Sequence, residues 1–139
     1  MENIKLHYDV RKDDFSCAGE ASGKIKRALK DLGLDPSIVR NVAIAVYEGE
    51  INMVIHAEGG RIDAEISPEK ITVVLDDKGP GIPDIELAMK KGYSTAPENI
   101  RALGFGAGMG LPNIKKYSDE MNIETQQGVG TVITLGFNI

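Results

Sequence analysis

Apolar and polar residues alternate over residues 3–10, and this period of two predicts a half-buried first strand. Apolar residues then recur every three or four positions, which predicts a helix capped by Asp13 or Asp14 and ended by Gly33. A second helix is predicted over residues 35–57, because a capping Asp is followed there by a Pro suited to the first helical turn.

The remaining periodicity predicts four more strands and a third helix. Two strands are expected at 61–66 and 70–77, and two more at 121–126 and 131–137 around a glycine-rich turn typical of a hairpin. The third helix is expected at 111–119, directly after a run of alternating glycines.

The segment before that helix has a weaker pattern. Residues 84–91 are consistent with a short helix, whereas residues 92–108 have no periodicity, and loops of this length usually form lids or mobile segments. The order β-α-α-β-β-α-β-β predicts an α+β fold. We expect a two-layer sandwich with the helices on one face of a mixed, mostly antiparallel sheet.

The composition is that of a single domain over residues 1–139. Apolar residues make up 42% of the chain, which is enough for a core that needs no disulfide or metal. Cys17 is the only cysteine, and we expect it to be a small residue that faces the core. Since the chain shows no secretion signal and no membrane-spanning run, we expect a cytoplasmic protein.

Charge argues against a nucleic-acid partner. The net charge is −5, from 21 acidic and 16 basic residues, whereas nucleic acid favours a concentrated basic surface. The cluster Lys24, Lys26, Arg27 and Lys30 falls on the polar side of the first helix and is interpreted as a solvated face.

The second helix is mostly apolar but carries a polar stripe. Asn41, Glu48, Asn52 and His56 share one side at helical spacing. The stripe is either a hydrogen-bonded seam beside solvent or the floor of a site. In a site, Asn52 would offer an amide oxygen to Mg²⁺ and Glu48 would act as a general base.

Two neighbours of Glu48 carry further expectations. Gly49 costs the helix about 0.5–1 kcal/mol relative to Ala, which close packing would explain. Glu50 is expected to point away from the stripe and to be solvated.

Three glycine-rich elements follow, and each has a structural alternative. Asp77–Gly81 is either an ordinary turn or a base-reading carboxylate with glycines that let a nucleotide approach. Gly104–Gly110 is either a linker or a phosphate site at a helix N-terminus, and it matches neither a Walker A loop nor a dinucleotide fingerprint. Gly128–Gly130 is either a hairpin turn without a function or a turn after which Thr131 would add a hydroxyl near a nucleotide base bound at Asp77.

The order of these elements resembles the GHKL ATPase/kinase superfamily, which includes gyrase, Hsp90, histidine kinases and MutL. The elements are Glu48-x-x-x-Asn52, Asp77-x-Gly79-x-Gly81, Gly106-x-Gly108-x-Gly110 and Gly128-x-Gly130-Thr131. The short chain is most similar to the bacterial anti-sigma factor serine/threonine kinases and to the switch kinases of partner-switching modules.

The resemblance implies a role for each matching residue. Glu48 would take a proton from the attacking hydroxyl, Asn52 would coordinate Mg²⁺, and Asp77 would accept from the adenine amino group, supported by Thr131. The implied nucleotide site also contains the glycines and the residues among them: Gly79, Gly81, Ile82, Gly106, Ala107, Gly108, Met109, Gly110 and Leu111.

The implied function is a Mg-ATP-dependent serine/threonine protein kinase that phosphorylates a STAS-domain antagonist and so regulates a sigma factor. Two alternatives stay open: an anti-sigma factor that acts mainly as a nucleotide-dependent sigma-binding module, and a GHKL ATPase. The resemblance also implies a homodimer. The segment 96–105 is longer than the lid of switch kinases, and Arg101 within it either reaches the γ-phosphate or is exposed.

Overall fold

The computed structural model describes residues 3–11, 19–56, 59–79, 110–126 and 128–139. Within these ranges the chain forms five strands and three helices, in the expected order. They are β1 (Ile4–Val10), α1 (Glu20–Asp31), α2 (Pro36–His56), β2 (Gly60–Ile66), β3 (Lys70–Lys78), α3 (Gly110–Tyr117), β4 (Glu120–Gln126) and β5 (Gly130–Asn138). Cys17, the helix expected at 84–91 and the loop expected at 92–108 lie outside the described residues.

The five strands form one sheet in the order β1-β2-β3-β5-β4, and each described pair of neighbours is antiparallel. The expected hairpin of β4 and β5 is confirmed. The central strand β3 pairs with β2 on one side and β5 on the other, which places its C-terminal end between two glycine-containing strand ends. The predicted α+β class is therefore confirmed.

The core lies between the helices and one face of the sheet. Alternate residues of the inner strands are buried, as expected for a sheet covered on one side. The largest fully buried side chains from strands and helices are Ile25, Leu29, Val39, Val42, Val46, Met53, Val54, Ile62, Ile71, Leu75, Ile114 and Leu135. On the outer side of α1 the basic cluster is exposed, as predicted, and Lys24 Nζ pairs with Glu20 Oε1 at 2.9 Å.

Helix α2 packs closely on the middle of the sheet. A Cβ placed on Gly49 would overlap the Leu75 side chain of β3, so a larger residue here would force Leu75 to shift. The expectation that close packing explains the mid-helix glycine is confirmed. Because Leu75 faces α2, Asp77, two residues further along the strand, lies on the same face of the sheet.

The expectation that Glu50 is solvated is wrong. Glu50 is only 2% exposed, and its carboxylate accepts hydrogen bonds from the backbone N–H groups of Ala21 at 3.0 Å and Ser22 at 3.2 Å. These groups belong to the first turn of α1, where backbone N–H groups lack partners within the helix. Glu50 therefore caps α1 from another helix, and the positive end of the helix dipole favours its charge.

The start of α1 also differs from the prediction. The helix begins at Glu20, with Gly19 as its N-cap residue, rather than at an Asp13 or Asp14 cap. Gly19 has φ 93°, a left-handed conformation that suits glycine, and it has no side chain with which to cap the helix. The long-range cap from Glu50 takes over this role.

None of the helices in the described ranges is long and apolar enough to cross a membrane.

Substitution Glu50→Ala is expected to destabilise the protein by about 2–4 kcal/mol, because it leaves two buried N–H groups without an acceptor. Glu50→Gln keeps one acceptor oxygen and should cost less. Urea unfolding measures both, with Glu69→Ala in the exposed β2–β3 turn as the control. A Glu50→Ala variant as stable as the Glu69→Ala control would contradict the capping role.

Candidate functional site

Glu48 and Asn52 lie one turn apart on α2, and both side chains are half-buried. The helix directs its apolar residues into the core, so the polar stripe is held at the edge of the buried surface. No described residue hydrogen-bonds the Asn52 side chain. Its amide oxygen is therefore available to a ligand.

The Glu48 carboxylate is bound by a residue of the neighbouring helix α3, to which the sequence assigned no role. Asn113 of α3 donates a hydrogen bond from Nδ2 to Glu48 Oε1 at 3.3 Å. Burial raises the pKa of the Glu48 carboxyl above its ordinary value, and the Asn113 hydrogen bond opposes that rise. A carboxyl shifted in this direction is a stronger proton acceptor when ionised, which suits a general base.

Asp77 lies at the end of β3, next to the start of β5. Its Oδ1 accepts a hydrogen bond from the backbone N–H of Thr131 at 3.0 Å. Burial raises the pKa of the Asp77 carboxyl, and neighbouring Asp76 raises it further, whereas the Thr131 hydrogen bond lowers it. With Oδ1 engaged by the backbone, the second oxygen can accept from a ligand.

The surroundings of Asp77 are tightly packed. Thr131 is 3% exposed, and its hydroxyl lies 3.0 Å from that of Thr125. A Cβ on Gly60 or Gly130 would overlap the backbone of β3 beside Asp77, and Gly130 has φ 149°. Thr131 thus contacts Asp77 through its backbone N–H, and the two flanking glycines let β2 and β5 close on this end of β3.

Asp76 belongs to the opposite face of the sheet. It lies 3.0 Å from Arg61 Nη2 in an ion pair on the solvent side. The two adjacent aspartates therefore have separate environments: Asp76 pairs with Arg61, and Asp77 accepts from the Thr131 backbone.

Part of the glycine-rich prediction falls in the described residues. The Gly79 N–H donates to the Val129 carbonyl at 3.3 Å, which joins the end of β3 to the tip of the β4–β5 hairpin. Gly110 is the first residue of α3, and Leu111 is buried in the core. Six predicted site residues lie outside the described ranges: Gly81, Ile82, Gly106, Ala107, Gly108 and Met109. Nothing is described of the His56 side chain.

In the described part of the chain, no group of three His, Cys, Asp or Glu side chains is placed to hold a metal ion. A Mg²⁺ ion that Asn52 held would take its other ligands from water and from phosphate oxygens, as Mg²⁺ commonly does with nucleotides. The free amide oxygen of Asn52 fits that coordination.

Known proteins match this chain over most of its length. The model of the histidine kinase-like ATPase domain matches residues 17–137. The anti-sigma F factor of Clostridium beijerinckii is 35% identical over 130 residues, which are 86% of this chain and 87% of that protein. The serine/threonine-protein kinase RsbT of Bacillus subtilis is 30% identical over 112 residues, 78% of each chain.

A solved structure supports the fold. The crystal structure of the RsbU and RsbW domains of a Mycobacterium tuberculosis protein is similar with a TM-score of 0.64 at 18% identity. The similarity covers 96% of this chain and 31% of the longer one. The chain belongs to the histidine kinase-like ATPase family, which implies ATP as its nucleotide, and within it resembles anti-sigma factors and a serine/threonine kinase.

Proposed function

We propose that this protein is a Mg-ATP-dependent serine/threonine kinase of a partner-switching module. Its substrate would be a STAS-domain antagonist protein, and its action would regulate an RNA polymerase sigma factor in the cytoplasm. The observation that carries the proposal is Glu48, a half-buried carboxylate with a raised pKa one helical turn from the free amide of Asn52. The named relatives, an anti-sigma factor and a protein kinase, support the choice of partners.

Phosphoryl transfer requires little from the protein beyond positioning of the reactants and neutralisation of the phosphate charge. Glu48 would accept the proton of the attacking serine or threonine hydroxyl. Asn52 would hold Mg²⁺, whose charge would offset that of the phosphates. Gly110 opens α3, and the N–H groups at a helix start favour phosphate binding, which supports phosphate contacts by the preceding glycines.

Asp77 would read the adenine amino group. The hydrogen bond from the Thr131 N–H to Oδ1 orients the carboxylate. Its second oxygen, Oδ2, would accept from the adenine amino group. Guanine presents a carbonyl oxygen in place of that amino group, so the same carboxylate would disfavour GTP.

The second candidate is an anti-sigma factor that binds sigma with nucleotide and transfers no phosphate. The relatives named as anti-sigma F factors favour it. A slow ATPase activity is the third possibility. A homodimer is part of the kinase proposal and is measurable by analytical ultracentrifugation.

Substitution Glu48→Gln is expected to lower phosphate transfer from labelled ATP to a STAS-domain partner by about 10²-fold or more, the usual contribution of a general base. Glutamine can still accept the Asn113 hydrogen bond, so ATP affinity should change little. Glu124→Gln, at an exposed position on β4, is the matched control.

Equal transfer by Glu48→Gln and the control would contradict the assignment of the base. If the unsubstituted protein transfers no phosphate but retains sigma in the presence of ATP, the binding module is the better description.

Substitution Asp77→Asn is expected to weaken ATP binding by about 10- to 100-fold, the value of a hydrogen bond to a charged group. An asparagine has an acceptor oxygen at only one of the two carboxylate oxygen positions, so its NH₂ group would face either the Thr131 N–H or the adenine amino group, both of which are donors. Calorimetric titration with ATP and GTP should show a loss of discrimination. Asp76→Asn, on the opposite face, should bind ATP as the unsubstituted protein does, and equal affinities for the two variants would reject adenine recognition by Asp77.

A further inference from the structure

The hydrogen bond between Asn113 and Glu48 joins two helices at the candidate base. Asn113 is the fourth residue of α3, three positions after Gly110, and its side chain is half-buried. Its neighbours Leu111 and Ile114 are 7% and 0% exposed. Because both neighbours are packed in the core and Pro112 fixes the backbone between them, the position of Asn113 is well defined.

The donor acts on one particular atom of the carboxylate. Asn113 Nδ2 lies 3.3 Å from Glu48 Oε1, which leaves the other oxygen of Glu48 free of this contact. A carboxylate on a flexible side chain has several rotamers, and a donor from a second helix selects among them. The donor also stabilises the ionised form, because a protonated carboxyl is a weaker acceptor.

We propose that Asn113 is a positioning residue for the phosphoryl-transfer reaction, which holds Glu48 Oε1 against α3 so that the other carboxylate oxygen faces the substrate hydroxyl. This inference rests on the proposed kinase function. In the step concerned, the hydroxyl oxygen bonds to the γ-phosphorus, the bond from that phosphorus to the β,γ-bridging oxygen breaks, and the hydroxyl proton passes to Glu48.

The contact between Asn113 and Glu48 should be measurable through the pKa of Glu48. Burial and Asn113 are the causes of its pKa shift, and none of the described charged groups adds to them. Glu50 on the same helix is engaged by α1, Lys115 and Lys116 of α3 are exposed, and Asp77 is bound to Thr131. Loss of the Asn113 donor should therefore raise the pKa of Glu48 further.

Two variants remove the donor with little risk to the fold. Asn113→Ala places a strong helix former in α3. Asn113→Asp keeps the shape of the side chain, and an acidic residue near a helix N-terminus is tolerated, but it sets a second carboxylate beside Glu48. Asn122→Ala, at an exposed position on β4, is the matched control for loss of an amide.

The test combines a titration with kinetics on the full chain. Carbon-13 NMR of the glutamate carboxyls follows Glu48, assigned by Glu48→Gln, and needs no activity. Transfer from ATP to a STAS-domain protein is then measured against pH. A general base must be ionised to act, so kcat falls at low pH as the base is protonated. A raised pKa of Glu48 therefore moves this acid limb of the kcat–pH profile to higher pH.

We expect Asn113→Ala to raise the Glu48 titration midpoint, to move the acid limb of kcat to higher pH, and to lower kcat by about 3- to 10-fold, less than loss of the base itself. Asn113→Asp should move the acid limb of the kcat profile further to higher pH. In both variants KM for ATP should stay within about 2-fold, because the residue acts through Glu48 rather than on the nucleotide. Asn122→Ala should match the unsubstituted protein.

An unchanged Glu48 midpoint in both Asn113 variants would overturn the contact. A raised midpoint with an unmoved acid limb, or a change confined to KM, would overturn the positioning role. If the unsubstituted protein transfers no phosphate, the kinase proposal fails, and with it this role, whereas the titration still decides separately whether Asn113 holds Glu48.

Discussion

The close approach of α2 to β3 at Gly49 is the constraint on which the rest of the site depends. A Cβ on Gly49 would overlap the Leu75 side chain, so glycine lets the helix lie closer to the centre of the sheet than a larger residue would without a shift of Leu75. The residues on either side of Gly49 then leave the helix in different directions. Glu48 accepts a hydrogen bond from α3 and Glu50 accepts one from α1, so the two carboxylates on either side of this contact join α2 to two different helices.

The carboxylates of Glu50, Glu48 and Asp77 are stabilised to different extents, and this separates structural from chemical roles. Glu50 receives two backbone N–H groups at the start of a helix and is fully enclosed. Glu48 and Asp77 each accept one hydrogen bond from a described residue and have raised pKa values because of burial. A carboxylate whose two oxygens both accept from the backbone supports the fold, whereas one with a free oxygen can serve a ligand or a proton.

The sequence was sufficient to predict the secondary-structure elements and their order, because hydrophobic periodicity and the Gly and Pro residues at element ends are local signals. The strands, α2 and the β4–β5 hairpin lie within a few residues of their predicted positions. Glu50 was misassigned because its partners are 28 and 29 positions away, and helical spacing alone shows only that it lies off the Glu48 stripe. Asn113 was missed for the same reason, although its place in the first turn after the glycine run is a signal that a search for donors to Glu48 would find. The start of α1 was misplaced because the sequence offered Asp13 and Asp14 as capping side chains, whereas the left-handed backbone of Gly19 is visible only in the structure.

The most direct test of the account is a crystal structure of the protein with Mg²⁺ and a non-hydrolysable ATP analogue. The account predicts that the adenine amino group donates to the free oxygen of Asp77, that Asn52 coordinates Mg²⁺, and that Glu48 stays on Asn113 with one oxygen open toward the γ-phosphate. A nucleotide bound away from Asp77, or a metal coordinated without Asn52, would contradict the central claim that α2 and the end of β3 form one ATP site.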